Sequence, residues 1–343
     1  MSGTYILATS AVSPQASFEK VLTAPATYTG EKLNCIEPDY TKYVDAKLIR
    51  RMSRIIKMGV AAAMETLQQA DIKNPDAIIT GTAYGCLADT DAFLTRLVEF
   101  KEELLSPTAF IQSTHNTVGA QIALMLGCHS YNNTYVHRGS SFESAMMDAI
   151  SLMEEGDANT ILVGAADEII EKSHAIIRRF GGYKQDGDSS QLFTSGTKGT
   201  MAGEGSAFFV LSKEEQGNAI ARLIDMKTYY KTHRSPVNII NNFLMENDVK
   251  IDDLDLVILG NNGDAKTDAH YNEVAQKLFV DRKLVGYKNY CGEYPTSSAF
   301  ALWMAVKMIE HGKRINNETS PRKILIYNNY KLQYPSLYLL SAF

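Results

Sequence analysis

Short apolar, β-compatible runs alternate along the chain with longer stretches of helical periodicity, the sequence form of parallel strands covered by helices. Strands are expected at Ala77 to Thr80, Thr160 to Val163, Ser206 to Leu211, Leu256 to Leu259 and Lys323 to Tyr327. Each is short and nearly all apolar, as strands buried on both faces require. Helices are expected over Lys47 to Ala70, Asn116 to Leu126, Phe142 to Glu154 and Ser298 to His311. In the third, Phe142, Ala145, Met146, Ala149, Ile150 and Met153 fall on one apolar face. The polar run KEEQGN at Lys213 to Asn218 divides the chain into an N-terminal half, 1 to 213, and a C-terminal half, 214 to 343. The halves look alike in pattern without residue-level periodicity.

At 343 residues with 45% hydrophobic content, the chain can bury more than one core. The net charge of -5 leaves no basic footprint for nucleic acid or an anionic membrane. The start MSGTYILATSAVSP lacks a secretory pattern and no apolar run is long enough to span a bilayer, so a cytoplasmic protein is expected. Cys35, Cys86, Cys128 and Cys291 lack metal-ligand spacing. Neither a metal site nor a cofactor is suggested, and buried reduced thiols are expected.

Five segments, in order, resemble the elongating β-ketoacyl-acyl-carrier-protein synthases of the thiolase-like superfamily. They are RRMSRIIKMGVAAAMETLQQADI at 50 to 72, GTAYGCLADTDAFL at 81 to 94, NTVGAQIALMLG at 116 to 127, EEGDANTILVGAADE at 154 to 168 and MAGEGSAFFVL at 201 to 211. The resemblance implies an α/β fold, a five-layered α-β-α-β-α sandwich of two similar halves, usually dimeric, with an active site between the halves. It also implies an acyl carrier protein or acyl chain as partner, and a structural role for Glu204 in the glycine turn.

Decarboxylative condensation needs a cysteine thiolate at a helix N-terminus and two histidines that hold the thioester carbonyl and assist loss of carbon dioxide. Where the family carries its cysteine, this chain reads TYVHRGSSFESA from Thr134, which puts Gly139 at that position. Where the first histidine opens its segment stands Asn262, followed by Gly263 and, further on, Glu273, both as in the family. The second histidine, after a matching Lys288 and Gly292, is Glu293, and Lys288 with Glu293 suggests a structural ion pair. The family's glycine-rich last loop is replaced by YNNYKLQYPSLYLL at 327 to 340, with no glycine.

These departures fit a chain-length-factor-like member, a non-condensing subunit that dimerises with a catalytic synthase in polyketide, aryl-polyene or fatty acid type biosynthesis. The alternatives are acyl transfer or altered chemistry through Ser140, with His137 beside it, and a non-catalytic acyl-binding homodimer. Ser140 and Ser141 before a helix also read as caps. Lys288, His137, Phe142 and Asn328 are expected around the pocket. The dimer surface is expected at the edge strand Asn133 to His137 and the segment Ser106 to Thr117, which carries Phe110 and Ile111.

Overall fold

The structure is a computed structural model that describes residues 3–103, 105–312 and 321–343. Its main strands are β1 (Thr4–Val12), β2 (Ala77–Gly81), β3 (Tyr131–Tyr135), β4 (Thr160–Asp167) and β5 (Gly205–Ser212) in the first half. In the second they are β6 (Ala221–Thr228), β7 (Leu256–Leu259), β8 (Leu284–Gly286), β9 (Lys323–Tyr330) and β10 (Tyr334–Ser341). The spatial order is β8-β7-β9-β10-β6-β1-β5-β4-β2-β3. Counted within each half, both sheets therefore run third, second, fourth, fifth, first. β2 pairs in parallel with β3 and β4, and β5 and β1 follow antiparallel. β7 pairs in parallel with β8 and β9, and β10 and β6 follow antiparallel. The likeness of the halves, faint in sequence, is complete in strand order and direction. Only Thr4, Tyr5 and Ile6 of β1, opposite Leu223, Arg222 and Ala221 of β6, join the two sheets.

The helices that build the layers are α1 (Arg54–Ala70), α2 (Leu87–Glu99), α3 (Pro107–Gln112), α4 (Thr117–Leu126) and α5 (Ser141–Glu155), followed by α6 (Glu171–Arg179), α7 (Pro236–Glu246), α8 (Ala265–Leu278) and α9 (Ser298–Glu310). The period-2 alternation of strand side chains sorts the cores. Ile78, Leu162, Phe208 and Val210 face out against Ile55, Met58 and Ala62 of α1 and Ile122 of α4. Ile79, Ile161, Val163 and Phe209 face inward against α5 and α9, which also receive Ile258, Ile326, Tyr338 and Leu340 of the second sheet. The opposite face of that sheet, with Val257, Leu325, Leu337 and Leu339, is covered by α7 and α8. This gives the expected five layers. It also explains α9, a helix buried on nearly every side because sheets lie on both sides of it.

The helix expected from Lys47 is interrupted: Ser53 is extended, with φ −68° and ψ 170°, and α1 begins only at Arg54. Strands β1, β6 and β10 were not singled out by the apolar runs. Polar residues such as Thr9, Ser10, Asp225 and Ser336 break their patterns. No helix among the described residues is long and apolar enough to cross a membrane.

Glu204, 1% exposed, ties the first half together. Its Oε1 accepts from the Cys35 backbone N–H at 2.9 Å and its Oε2 from that of Ile169 at 3.0 Å. Arg54, at the start of α1, grips both oxygens at 2.6 Å. Four charge-assisted bonds fill the acceptors of this buried carboxylate, the condition under which such a group is tolerated. Glu204→Ala strands two backbone donors and the guanidinium and is expected to cost about 3 kcal/mol in urea unfolding. A loss below about 1 kcal/mol would refute the role.

Candidate functional site

The C-terminal ends of β4 and β9 and the loop after β7 converge on a cavity of about 690 Å³. Asp167, Glu168 and Tyr183 line it from the first half, and Asn262, Glu293, Tyr294 and Tyr330 from the second. Asp167 joins the two halves. It accepts from the Ala83 N–H at 2.8 Å and from Thr82 Oγ1 at 3.1 Å, and its other oxygen takes Thr296 Oγ1 at 2.7 Å. Burial nevertheless pushes its carboxyl up to about 6, with these hydrogen bonds opposing the rise.

The two positions expected to match the family's histidines lie side by side. Asn262 Nδ2 donates to Glu293 Oε2 at 2.6 Å. Lys288 Nζ donates to the same carboxylate, at 3.0 Å to Oε1 and 2.8 Å to Oε2. Lys288 is 1% exposed, so this is a buried ion pair completed by an amide. The Asn262 Oδ1 accepts from the Asp264 N–H at 3.0 Å. The amide therefore spends both ends inside the protein, and the expected Lys288–Glu293 pair is part of a closed chain of polar contacts. Asparagine, unlike an imidazole, has no titratable proton near neutrality.

Gly139 lies in a single 3-10 turn, Arg138–Ser140, that leads into α5. A Cβ built on it would sit 2.4 Å from Tyr330 Cδ1 and 2.9 Å from Tyr334 Cδ2. The glycine-free loop of the sequence is the β9–β10 hairpin, whose turn residues Lys331 and Leu332 have φ of 53° and 55°. This turn carries Tyr330 and Tyr334 onto Gly139, filling the space where a nucleophile's side chain would project. Neighbouring side chains supply no replacement. Ser140 Oγ donates to the His137 carbonyl at 3.2 Å and Ser141 Oγ to the Arg138 carbonyl at 2.8 Å. The His137 ring meets Ser144 Oγ at 3.0 Å instead of either. Both hydroxyls are spent on carbonyls of the preceding turn, and Ser140, the N-cap of α5, makes no side-chain cap bond, unlike the capping role expected of it.

Of the residues expected around the pocket, Asn262 and Glu293 line the cavity, Lys288 sits behind Glu293, and Gly139 sits behind Tyr330. Phe142 lies in the central core, stacked on Tyr338 at 6.3 Å, and does not line the cavity. Asn328 is buried within β9, where its Oδ1 accepts from the Tyr287 hydroxyl at 2.9 Å. His137 is exposed on the other side of the helix start. Glu273, matched to the family from its spacing, is on the exposed face of α8, paired with Lys277 at 2.7 Å. The carboxylate that holds the Asn262 loop is Asp268, which accepts from the Asn262 and Gly263 N–H groups at 2.8 and 2.9 Å. Sequence reading also passed over Asp167 and Glu168, although an acidic pair ending the apolar run ILVGAA is the sort of signal that marks a cavity rim. Among the described residues no group of three or more His, Cys, Asp or Glu side chains is placed to hold a metal ion.

The N-terminal-domain model of the β-ketoacyl synthases matches residues 10–217. A 3-oxoacyl-[acyl-carrier-protein] synthase 2 from Synechocystis is 27% identical over 195 residues, 54% of this chain and 46% of that protein. The enzyme of the same name from Staphylococcus aureus is 21% identical over 189 residues, 52% of this chain and 45% of its own length. The matched region thus spans about half the length of these curated relatives. Among solved structures, a β-ketoacyl synthase from Burkholderia phymatum superposes with a TM-score of 0.82 at 13% identity, covering 100% of both chains. The ishigamide ketosynthase/chain length factor gives 0.80 at 14%, covering 99% of each. A ketosynthase in complex with its chain length factor from Xenorhabdus doucetiae gives 0.75 at 15%, covering 100% of this chain and 98% of that one. The order of the segments, the duplicated sheet and the matched model together place this chain in the β-ketoacyl synthase family.

Proposed function

We propose that this chain is a non-condensing subunit, like a chain length factor, that pairs with an intact ketosynthase in acyl-carrier-protein-dependent biosynthesis of the polyketide, aryl-polyene or fatty acid type. One observation carries the reading. The three positions that match the family's cysteine and histidines are a glycine capped by tyrosine rings and an asparagine and glutamate locked to each other and to Lys288. A thiolate and two imidazoles are replaced by a site with neither nucleophile nor proton shuttle. Acyl transfer through Ser140 has less support, because that hydroxyl is spent on a backbone carbonyl and lies away from the cavity lining.

The surface that would meet a synthase is the edge of the first sheet. β3 is the outermost strand and pairs only with β2. On α3, which packs on α2 and precedes the α4 helix that covers β3, Phe110 and Ile111 are 56% and 63% exposed, and on α2 Val98 is 75% exposed. An unpaired strand edge next to exposed apolar side chains is the arrangement that pairing across a two-fold axis covers.

Purified alone, the chain is expected not to condense malonyl-carrier protein with an acyl primer, and intact-protein mass spectrometry should find no acyl adduct. An adduct on Ser140 or Ser141 would overturn the reading. Gly139→Cys should also remain unacylated and lose about 1–3 kcal/mol of stability, because the new side chain must displace Tyr330. Light scattering after size exclusion should show the chain forming a dimer with a co-expressed intact ketosynthase, and Ile111→Asp should abolish it. A wild type that stays monomeric at micromolar concentration with the synthase present argues against the pairing.

A further inference from the structure

Helix α6 forms one wall of the cavity, through Ser173, His174 and Ile177 among others. Its seat differs from those of α1 and α5, which bury apolar faces. Of the nine residues of α6 only His174 is buried. Ile176 and, just past the helix, Phe180 border the cavity, yet they are 59% and 79% exposed. Charges hold the helix instead. Lys32 Nζ meets Glu171 at 2.6 Å, Arg178 Nε meets Glu31 at 2.7 Å, and His174 Nε2 lies 3.3 Å from the same Glu31 carboxylate. Lys172 Nζ reaches α2, at 2.6 Å to Asp91 and 3.2 Å to Thr95 Oγ1. Ion pairs open to solvent each contribute little and are screened by salt.

The chain on either side of α6 is fixed. The Ile169 N–H is held by Glu204 at 3.0 Å, and the Lys184 N–H donates to the Thr200 carbonyl at 2.8 Å. Between these anchors, the helix is entered through Ile170 without a side-chain cap. It is left through Gly181, with φ of 71°, and Gly182, where a Cβ would lie 2.6 Å from Ile177. Two successive glycines give that exit a backbone freedom no other residue type supplies.

We propose that α6 is a lid on the cavity, closed in this structure, latched by its ion pairs to Glu31, Lys32 and Asp91 and hinged at Gly181 and Gly182. The inference concerns access alone. It goes beyond the non-condensing reading, names no ligand, and holds whether or not the chain pairs with a synthase. Glu31 is the main fastening, because one carboxylate takes both His174 and Arg178, which stand one turn apart on the helix. Once these contacts let go, no apolar seam remains to hold α6, and an isolated helix of this length is marginal in water. Opening therefore frays the helix or swings it outward. In either case Ser173 and Ile177 leave the cavity wall.

The test uses the full-length chain and hydrogen–deuterium exchange. Amides of α6 should exchange faster than those of β4 and α5, and raising NaCl from about 0.05 M to about 1 M should speed α6 alone by about fivefold or more, since screening then acts over about 3 Å. Glu31→Gln should bring α6 to a similar rate at low salt and leave little further response to salt. Lys32→Glu should loosen α6, and adding Glu171→Lys should restore the wild-type rate, a recovery that a merely structural role for Lys32 would not give. Glu273→Gln, on the surface pair of α8, should leave α6 unchanged. A swing that keeps the helix intact is read by Ser173→Cys, whose thiol should react with a maleimide faster at high salt, by a similar factor, over the wild-type background of half-buried Cys128. Should Glu31→Gln not fold, Lys172→Ala takes its place with the same direction expected. The proposal is overturned if neither exchange in α6 nor the Ser173→Cys reaction responds to salt, if removing the Glu31 charge changes neither, or if the exchanged Lys32–Glu171 charges fail to restore the wild type.

Discussion

The Glu204 carboxylate is the constraint on which the first half of the molecule depends. It sits at the entry to β5, yet its bonds reach the loop at Cys35, the start of α1 through Arg54, and the chain leaving β4 at Ile169. Three segments distant in sequence are held by one side chain, and Ile169 is a wall of the cavity. The geometry of the candidate site therefore begins at a group that takes no part in any chemistry proposed for it. Burying one charge at such a junction is tolerable because four donors converge on it, and any one of them left alone would be a liability.

Asn262 and Glu293, the residues expected where the family has two histidines, compensate each other within the same few ångströms. Glu293 alone would be an uncompensated charge in a buried loop. Lys288, five residues earlier, supplies the counter-charge, and Asn262 fills a remaining lone pair. The result is a rigid polar strut between the two loops where a reactive pair would need to bind and release protons. The β9–β10 hairpin changes in the same direction, since its tyrosines pack over Gly139 where open backbone would admit substrate.

Much of this was legible in the residues. The buried strands announced themselves as apolar runs, the turn at Glu204 pointed to backbone hydrogen bonds though not to Arg54, and the spacing of Lys288 and Glu293 pointed to their ion pair. What escaped had one of three physical causes. Tyr330 reaches Gly139 across nearly two hundred residues, a contact no local pattern encodes. Asp268, not singled out in the residues, holds the Asn262 loop because the turn of the helix decides which carboxylate faces that loop. Glu143, a charged residue beside the apolar positions of α5, carries no local sign of where its side chain lies. It is fully buried between the sheets, where the hydroxyls of Ser298, Ser336 and Tyr338 face its carboxyl and burial raises its pKa against them. The face of α5 that carries Phe142, Ala145, Met146 and Ala149 turns into the central core, and Glu143 is buried with it.

The placement of β1 bears on how the chain is made. This first strand lies between β5 and β6, pairing Tyr5 to Val12 with Ser212 to Ser206 and Thr4 to Ile6 with Leu223 to Ala221. During synthesis β1 leaves the ribosome well before its partners, which are made some two hundred positions later. Until then β4 lacks its antiparallel neighbour and β1 lacks both of its own. Loop closure over such a separation is slow, and exposed strand edges invite association with other chains in the meantime. Nascent-chain handling, more than the stability of the finished sheet, is where this architecture places its greatest demand.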